Sequence, residues 1–175
     1  MKIYNSNSLE ETQKIAEKFA SSLKKGSVIA LYGDLGSGKT TFVQGLAKGL
    51  GIKKRIISPT FIIVRSYKIK NRDVILASEA SPESKNDPGQ ARMTDGSLSI
   101  FYHIDLYRLE NKGQIEGLGI KELMSDSQNI IAIEWAEKIK QMLPKKRVDI
   151  YFEYLSENKR KIAITELSDA EINSA

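Results

Sequence analysis

Eight consecutive residues, Gly33-Asp34-Leu35-Gly36-Ser37-Gly38-Lys39-Thr40, constrain this chain more than anything else in it. They fit G-x-x-x-x-G-K-[ST], the pattern of a loop that wraps phosphate. The flanks fit too. Val28-Ile29-Ala30-Leu31-Tyr32 is a short, continuously apolar run of the kind that forms a strand covered on both faces. Residues 39–50 then read as an amphipathic helix that stops near Gly51. A strand, a glycine-rich turn and a helix in that order aim successive backbone N–H groups and the positive end of the helix at one anion. Gly33, Gly36 and Gly38 let the backbone close on the phosphate, and Asp34, Leu35, Ser37 and Thr41 complete its cradle. Lys39 is expected to reach the β- and γ-phosphates, and the Thr40 hydroxyl to meet Mg²⁺. The guanine-reading motif [NT]-K-x-D is missing. The expected ligand is therefore ATP with Mg²⁺.

A bound Mg–nucleotide calls for a carboxylate at the end of a neighbouring strand. Two residues stand where one belongs. Asp105 closes the apolar run that starts at Ile100, and Glu134 closes Ile130-Ile131-Ala132-Ile133. Each should emerge at the carboxyl edge of the sheet, where open α/β folds bind ligands. Asp105 is assigned to the Mg²⁺ shell, and Glu134 to metal contact or to positioning the attacking water. Trp135 follows directly. Its indole either stacks on a base or ribose or packs in the interior, and the sequence leaves both open.

The rest of the chain fits one α/β domain over residues 1–175, with a mainly parallel core sheet and an antiparallel end. Ser8-Leu9-Glu10-Glu11 is a capping box for a first helix running to about Lys24, with Gly26 as its stop. Further strands are expected at 61–67, 100–104 and 130–133, a short helix at 136–142, and a terminal hairpin pairing 148–152 with 161–165. Residues from about Ser168 are expected to fray. Between Tyr67 and Ser99 a segment with Pro82, Pro88, Gly89 and Gly96 is too long and polar for an ordinary connection. Residues 72–77 read as a further strand candidate within it, and about 72–98 reads as a surface insertion.

Composition removes several function classes. The 175 residues include no cysteine and a single histidine, His103, so disulfides, thiolate metal sites and a poly-histidine zinc site are excluded. The N-terminus lacks the apolar core of a signal peptide, and no apolar run approaches the roughly 18 residues of a membrane span. A cytoplasmic protein without membrane attachment is expected. The net charge is +5, with small basic clusters at Lys53-Lys54-Arg55 and Lys145-Lys146-Arg147. These read either as solvated surface or as contacts to a polyanion such as tRNA.

Four blocks taken together resemble one family. The phosphate loop through Thr41, Ser58-Pro59-Thr60-Phe61, His103-Ile104-Asp105-Leu106-Tyr107-Arg108 and Glu134-Trp135 occur in the order found in TsaE, also called YjeE, the ATPase of bacterial tRNA threonylcarbamoyladenosine synthesis. The loop is common to many families, whereas the other three blocks make the match specific. The resemblance implies a P-loop NTPase fold: a parallel core flanked by antiparallel strands. It implies that Thr60 lies in a switch-like segment near the γ-phosphate, that Asp105 and Glu134 serve metal and hydrolysis, and that Trp135 lies beside adenine. His103 is either a satisfied strand residue or a catalytic one. Two departures stand out. The connection between the second and third blocks is about 30 residues, where relatives use a short hairpin. Ala136 also stands where proline is common.

The resemblance further implies a supporting ATPase. It would act on a complex of two partner proteins that transfers threonylcarbamoyl to adenosine 37 of tRNA, with tRNA contacted through that complex. No arginine finger is identifiable in the sequence, and such a group supplies about 10³–10⁵ in rate, so hydrolysis should be slow until partners complete the site. Two other readings share the loop. One is a small-molecule phosphotransferase with a lid bearing Arg65, Arg72 or Arg92. The other is a nucleotide-gated binding module in which turnover matters little.

Overall fold

The computed structural model describes residues 1–58, 63–69, 99–110 and 112–167. Thr60, the insertion expected at about 72–98 with Arg72 and Arg92, and the tail from Ser168 lie outside the described residues. Seven strands form one sheet: β1 (Lys2–Ser6), β2 (Val28–Tyr32), β3 (Val64–Lys68), β4 (Ile100–Asp105), β5 (Ile130–Glu134), β6 (Arg147–Tyr154) and β7 (Arg160–Leu167). Their order across the sheet is β1-β7-β6-β2-β5-β4-β3. The pairs β6–β2, β2–β5 and β5–β4 are parallel. The pairs at both margins are antiparallel: β1–β7 and β7–β6 on one side, β3–β4 on the other. This is the mixed α/β sheet expected, a parallel core with antiparallel flanks.

Burial explains which strands occupy the centre. All five residues of β5 are buried, as are the first four of β2, so both strands are apolar on both faces and need cover on both. One cover is the helix pair α1 (Leu9–Ala20) and α2 (Lys39–Gly49). Ala16, Ala20, Phe42 and Leu46 from these helices pack with Ile29, Leu31, Phe101 and Ile130 from the sheet. On the opposite face Ala30, Ile104, Ile131 and Ile133 pack under two short helices, α3 (Lys112–Glu116) and α4 (Ile120–Ser125), and a 3₁₀ turn (Ala136–Ile139).

The capping box at α1 forms, with one change. The Ser8 side chain accepts from the Glu11 N–H at 3.1 Å, but the Glu11 carboxylate reaches past Ser8 to the Asn7 N–H at 2.7 Å. The helix ends at Ala20 rather than near Lys24, yet Leu23 still turns into the core. The helix expected over 136–142 is a 3₁₀ turn that stops at Ile139. The third strand spans Val64–Lys68 rather than 61–67, because Ile63 has a left-handed φ of 68° that no extended strand continues through. Strand β1 and helices α3 and α4 are additions to the expected list. The basic cluster at 145–147 is partly structural: Arg147 binds the buried Asp149 carboxylate through two nitrogens at 2.7 and 3.0 Å. Among the described residues no helix is long and apolar enough to cross a membrane.

Candidate functional site

The glycine-rich turn leaves the carboxyl end of β2 and feeds α2. Gly33 adopts a φ of 136°, and a Cβ there would lie 2.6 Å from the Phe152 carbonyl oxygen of β6, so only glycine lets the chain leave the sheet so closely. The Ser37 N–H closes the turn on the Asp34 carbonyl at 3.2 Å, and Leu35 stands exposed at its tip. Gly38, also left-handed, is the N-cap of α2. No side chain caps that helix, and its first turn holds no acidic residue. The 11-residue helix therefore directs its positive end and its free N–H groups at the mouth of the turn, an arrangement that favours an anion.

Lys39 is the first residue of α2 and folds back over the turn. Its ammonium donates to the carbonyls of Gly33 at 2.6 Å and Asp34 at 2.8 Å, and lies 4.0 Å from the centre of the Trp135 ring. The side chain is buried, and that burial holds its pKa below the ordinary lysine value; the negative charges of Glu134, Glu137, Asp105 and Asp34 oppose the shift. A buried cation held only by two carbonyls and an aromatic face retains attraction for a stronger anion.

The strand-end carboxylates come together as expected. Asp105 and Glu134 are register partners across the parallel β4–β5 pair, so both project from the same edge and the same face. The Thr40 hydroxyl donates to Glu134, lying 2.9 Å from each oxygen. Its oxygen lone pair stays available to a cation. Asp105 is oriented at both oxygens, by the Ser58 hydroxyl at 2.7 Å and the Tyr107 N–H at 3.0 Å. Ser58, Thr40, Thr41, Asp105 and Glu134 line one pocket with the glycine-rich turn. Among the described residues no three His, Cys, Asp or Glu side chains gather to hold a metal unaided. Two carboxylates and one hydroxyl, all hard oxygen donors, instead fit Mg²⁺, which takes few protein ligands and completes its shell with phosphate and water.

His103 lies two residues before Asp105 on the same face, and its Nε2 lies 2.7 Å from Glu134 Oε1. The space for its ring is provided by Ala132, its small register partner on β5. With Glu134 ionised the carboxylate can only accept, so Nε2 carries the proton. Nδ1 is buried and has no partner among the described residues. The pairing joins the two readings of His103: a strand residue with a satisfied bond, whose bond fixes the central carboxylate of the site. Trp135 sits at the strand end with a left-handed φ of 61°, a conformation that costs a bulky residue and recurs at functional sites. Its ring packs 5.1 Å from Tyr107.

One residue of the pocket escaped the sequence reading. Arg160, at the start of β7, lines it from the side opposite the carboxylates. The signal was there: Arg160, Ile162 and Ile164 alternate inward, so a lone cation occupies a core-facing position. Arg65, one of the three arginines considered for a lid, lies on β3 in register with His103.

Comparison with known proteins agrees with this geometry. The chain matches the sequence model of the family described as "Threonylcarbamoyl adenosine biosynthesis protein TsaE" over residues 6–77 and 91–162. It is 36% identical over 156 residues to the tRNA threonylcarbamoyladenosine biosynthesis protein TsaE of Bacillus subtilis (strain 168), covering 89% of this chain and 80% of that protein. It is 36% identical over 159 residues to the protein of the same name from Rickettsia felis, covering 90% and 76%. Among solved structures, Bacillus subtilis YdiB superimposes with a TM-score of 0.64 at 27% identity, covering 97% of this chain and 87% of that one. With its P-loop NTPase fold and its family blocks in order along the chain, the protein belongs to the TsaE family.

Proposed function

We propose that this chain is a Mg²⁺-dependent ATPase that supports threonylcarbamoyl modification of adenosine 37 in tRNA. It would work in the cytoplasm as a single domain over residues 1–175, with an insertion at about 72–98. The observation that carries the reading is the convergence of a complete phosphate loop with Thr40, Asp105 and Glu134 in one pocket, in a member of a family described by that pathway.

In this reading the turn at 33–38 and the N-terminus of α2 bind the phosphate chain through backbone N–H groups. Lys39 exchanges the Gly33 and Asp34 carbonyls for phosphate oxygens, which are better partners for a buried cation. Thr40, Asp105 and Glu134 would hold Mg²⁺, which neutralises phosphate charge when bound. Glu134, fixed by Thr40 and His103, also orients the attacking water. Thr60 would stand near the terminal phosphate and Trp135 beside the nucleotide. The cycle would reset a transferase complex of two partner proteins, through which tRNA is met. Turnover would be slow alone and faster with those partners.

The test is ATP consumption by the purified chain, alone and with the two partner proteins of the threonylcarbamoyl-transfer complex. The reading expects slow release of phosphate that rises when both partners are present. Phosphate transferred to a small molecule would favour a phosphotransferase. Turnover that stays negligible with partners present would favour a nucleotide-gated binding module.

A further inference from the structure

Arg160 begins β7, paired with Tyr154 of β6 and with Ser6 of β1. Its side chain follows the inward alternation that Ile162 and Ile164 continue into the core, and it is only 6% exposed. A guanidinium in such a position normally meets a carboxylate, because an unpaired buried charge is costly. None lies within ion-pair distance among the described residues. The single hydrogen bond there runs from Nη2 to the Glu157 carbonyl at 3.5 Å, the outer limit of such contacts, while Nε and Nη1 are buried with no partner. The side chain lies directly against the phosphate loop. A Cβ on Gly38 would meet its Cδ and Nε at 2.9 Å, so the missing side chain of Gly38 makes its room.

We infer that Arg160 is a nucleotide-anchoring residue, donating its free N–H groups to the portion of the ligand that ATP and ADP share. The side follows from strand order. Asp105 and Glu134 flank β2 from β4 and β5, whereas Arg160 flanks it from the β6–β7 side. With the metal and the terminal phosphate on the carboxylate side, Arg160 faces the α-phosphate and ribose end. The inference rests on reading the loop as a nucleotide site.

The experiment titrates ADP and ATP, each with Mg²⁺, into wild-type protein, Arg160→Gln and Arg160→Lys by calorimetry, and records melting temperatures with and without ADP. Arg160→Gln is expected to weaken ADP and ATP by the same factor, tenfold or more. Its ligand-free melting temperature should equal or exceed the wild type's, because an uncompensated buried charge has gone. Arg160→Lys keeps charge and stem but not the planar fork, and should show a smaller parallel loss. It also keeps the test readable if the glutamine variant does not fold. Unchanged ADP affinity in a folded variant would overturn the inference. So would a loss confined to ATP, or a ligand-free melting temperature that falls while ADP affinity holds. A wild-type protein that binds neither nucleotide would overturn the nucleotide-site reading itself.

Discussion

Replacing Glu134 by alanine and by glutamine separates its structural role from its chemical one. In the folded protein this carboxylate accepts from the fully buried His103 at 2.7 Å and from the half-buried Thr40 hydroxyl at 2.9 Å. Alanine strands both donors. A buried polar group left without a partner costs about 1–3 kcal/mol, with His103 at the upper end and Thr40, which water can reach, at the lower. The expected loss is about 2–4 kcal/mol. In a chain of this length each kcal/mol moves the melting temperature by roughly 2–4 °C, so Glu134→Ala should melt about 5–15 °C lower. Glutamine keeps the shape and a carbonyl acceptor and should cost under about 1 kcal/mol. Turnover should behave differently, because an amide neither takes a proton nor orients water as a carboxylate does. Both variants should lose about 10²–10⁴ in single-turnover hydrolysis with partners present. Nucleotide affinity should change by less than about tenfold, since the loop, Lys39, Thr40 and Asp105 remain. Melting curves, calorimetry and quenched-flow hydrolysis read the three quantities. Normal hydrolysis in Glu134→Gln would refute the chemical role. A parallel fall in Mg²⁺-dependent affinity would make Glu134 chiefly a metal ligand.

Other expectations follow from the same site. ATP and ADP should bind at least tenfold more tightly than GTP in competition titrations, and equal affinity for GTP would remove the adenine preference. Binding should change the Trp135 emission, the protein's only tryptophan signal, because Lys39 must leave its ring face to reach phosphate; a silent titration would contradict that movement. Replacing residues 78–97 by a short turn should leave ATP affinity unchanged by calorimetry, since none of the family blocks lies there; abolished binding in a folded variant would show otherwise. Alkaline pH should destabilise the fold through Tyr32. Burial and the Asp149 charge raise its pKa above the unfolded value of about 10, so the native state favours the neutral phenol. That contribution is complete below pH about 10 and is lost as pH rises further. Urea titrations from pH 8 to 11 should show a shallower alkaline decline in Tyr32→Phe, and an identical decline would exclude Tyr32 as the cause.

The parallel core was legible because strands buried on both faces read as unbroken apolar runs, as Val28–Tyr32 and Ile130–Glu134 do. Strand β1 was not. Lys2–Ser6 is a largely exposed edge strand whose place is set by backbone pairing with β7, and its polar side chains carry no period-two signal. Helices α3 and α4 span 5 and 6 residues, too short for a helical period to declare itself. At the site, the loop and the strand-end position of Asp105 and Glu134 were readable from local sequence. The bonds among Thr40, His103 and Glu134 were not, because they depend on β4–β5 register and on α2 crossing that edge. Arg160 belongs with them: its alternation with isoleucines marked it as inward-facing, but only the sheet order brings β7 beside the loop.

The central claim is that ATP held by this loop drives a step of tRNA modification. The most direct measurement is the threonylcarbamoyladenosine content of tRNA, by mass spectrometry, in cells lacking their own TsaE and supplied with this chain or with Lys39→Ala. The substitution removes the cation that would face the phosphates and leaves the carboxylates in place. Calorimetry on the same purified variant shows that it has lost ATP. The account predicts full modification with the wild-type chain and a level near that of empty cells with Lys39→Ala. Normal modification by a folded Lys39→Ala protein that no longer binds ATP would contradict it.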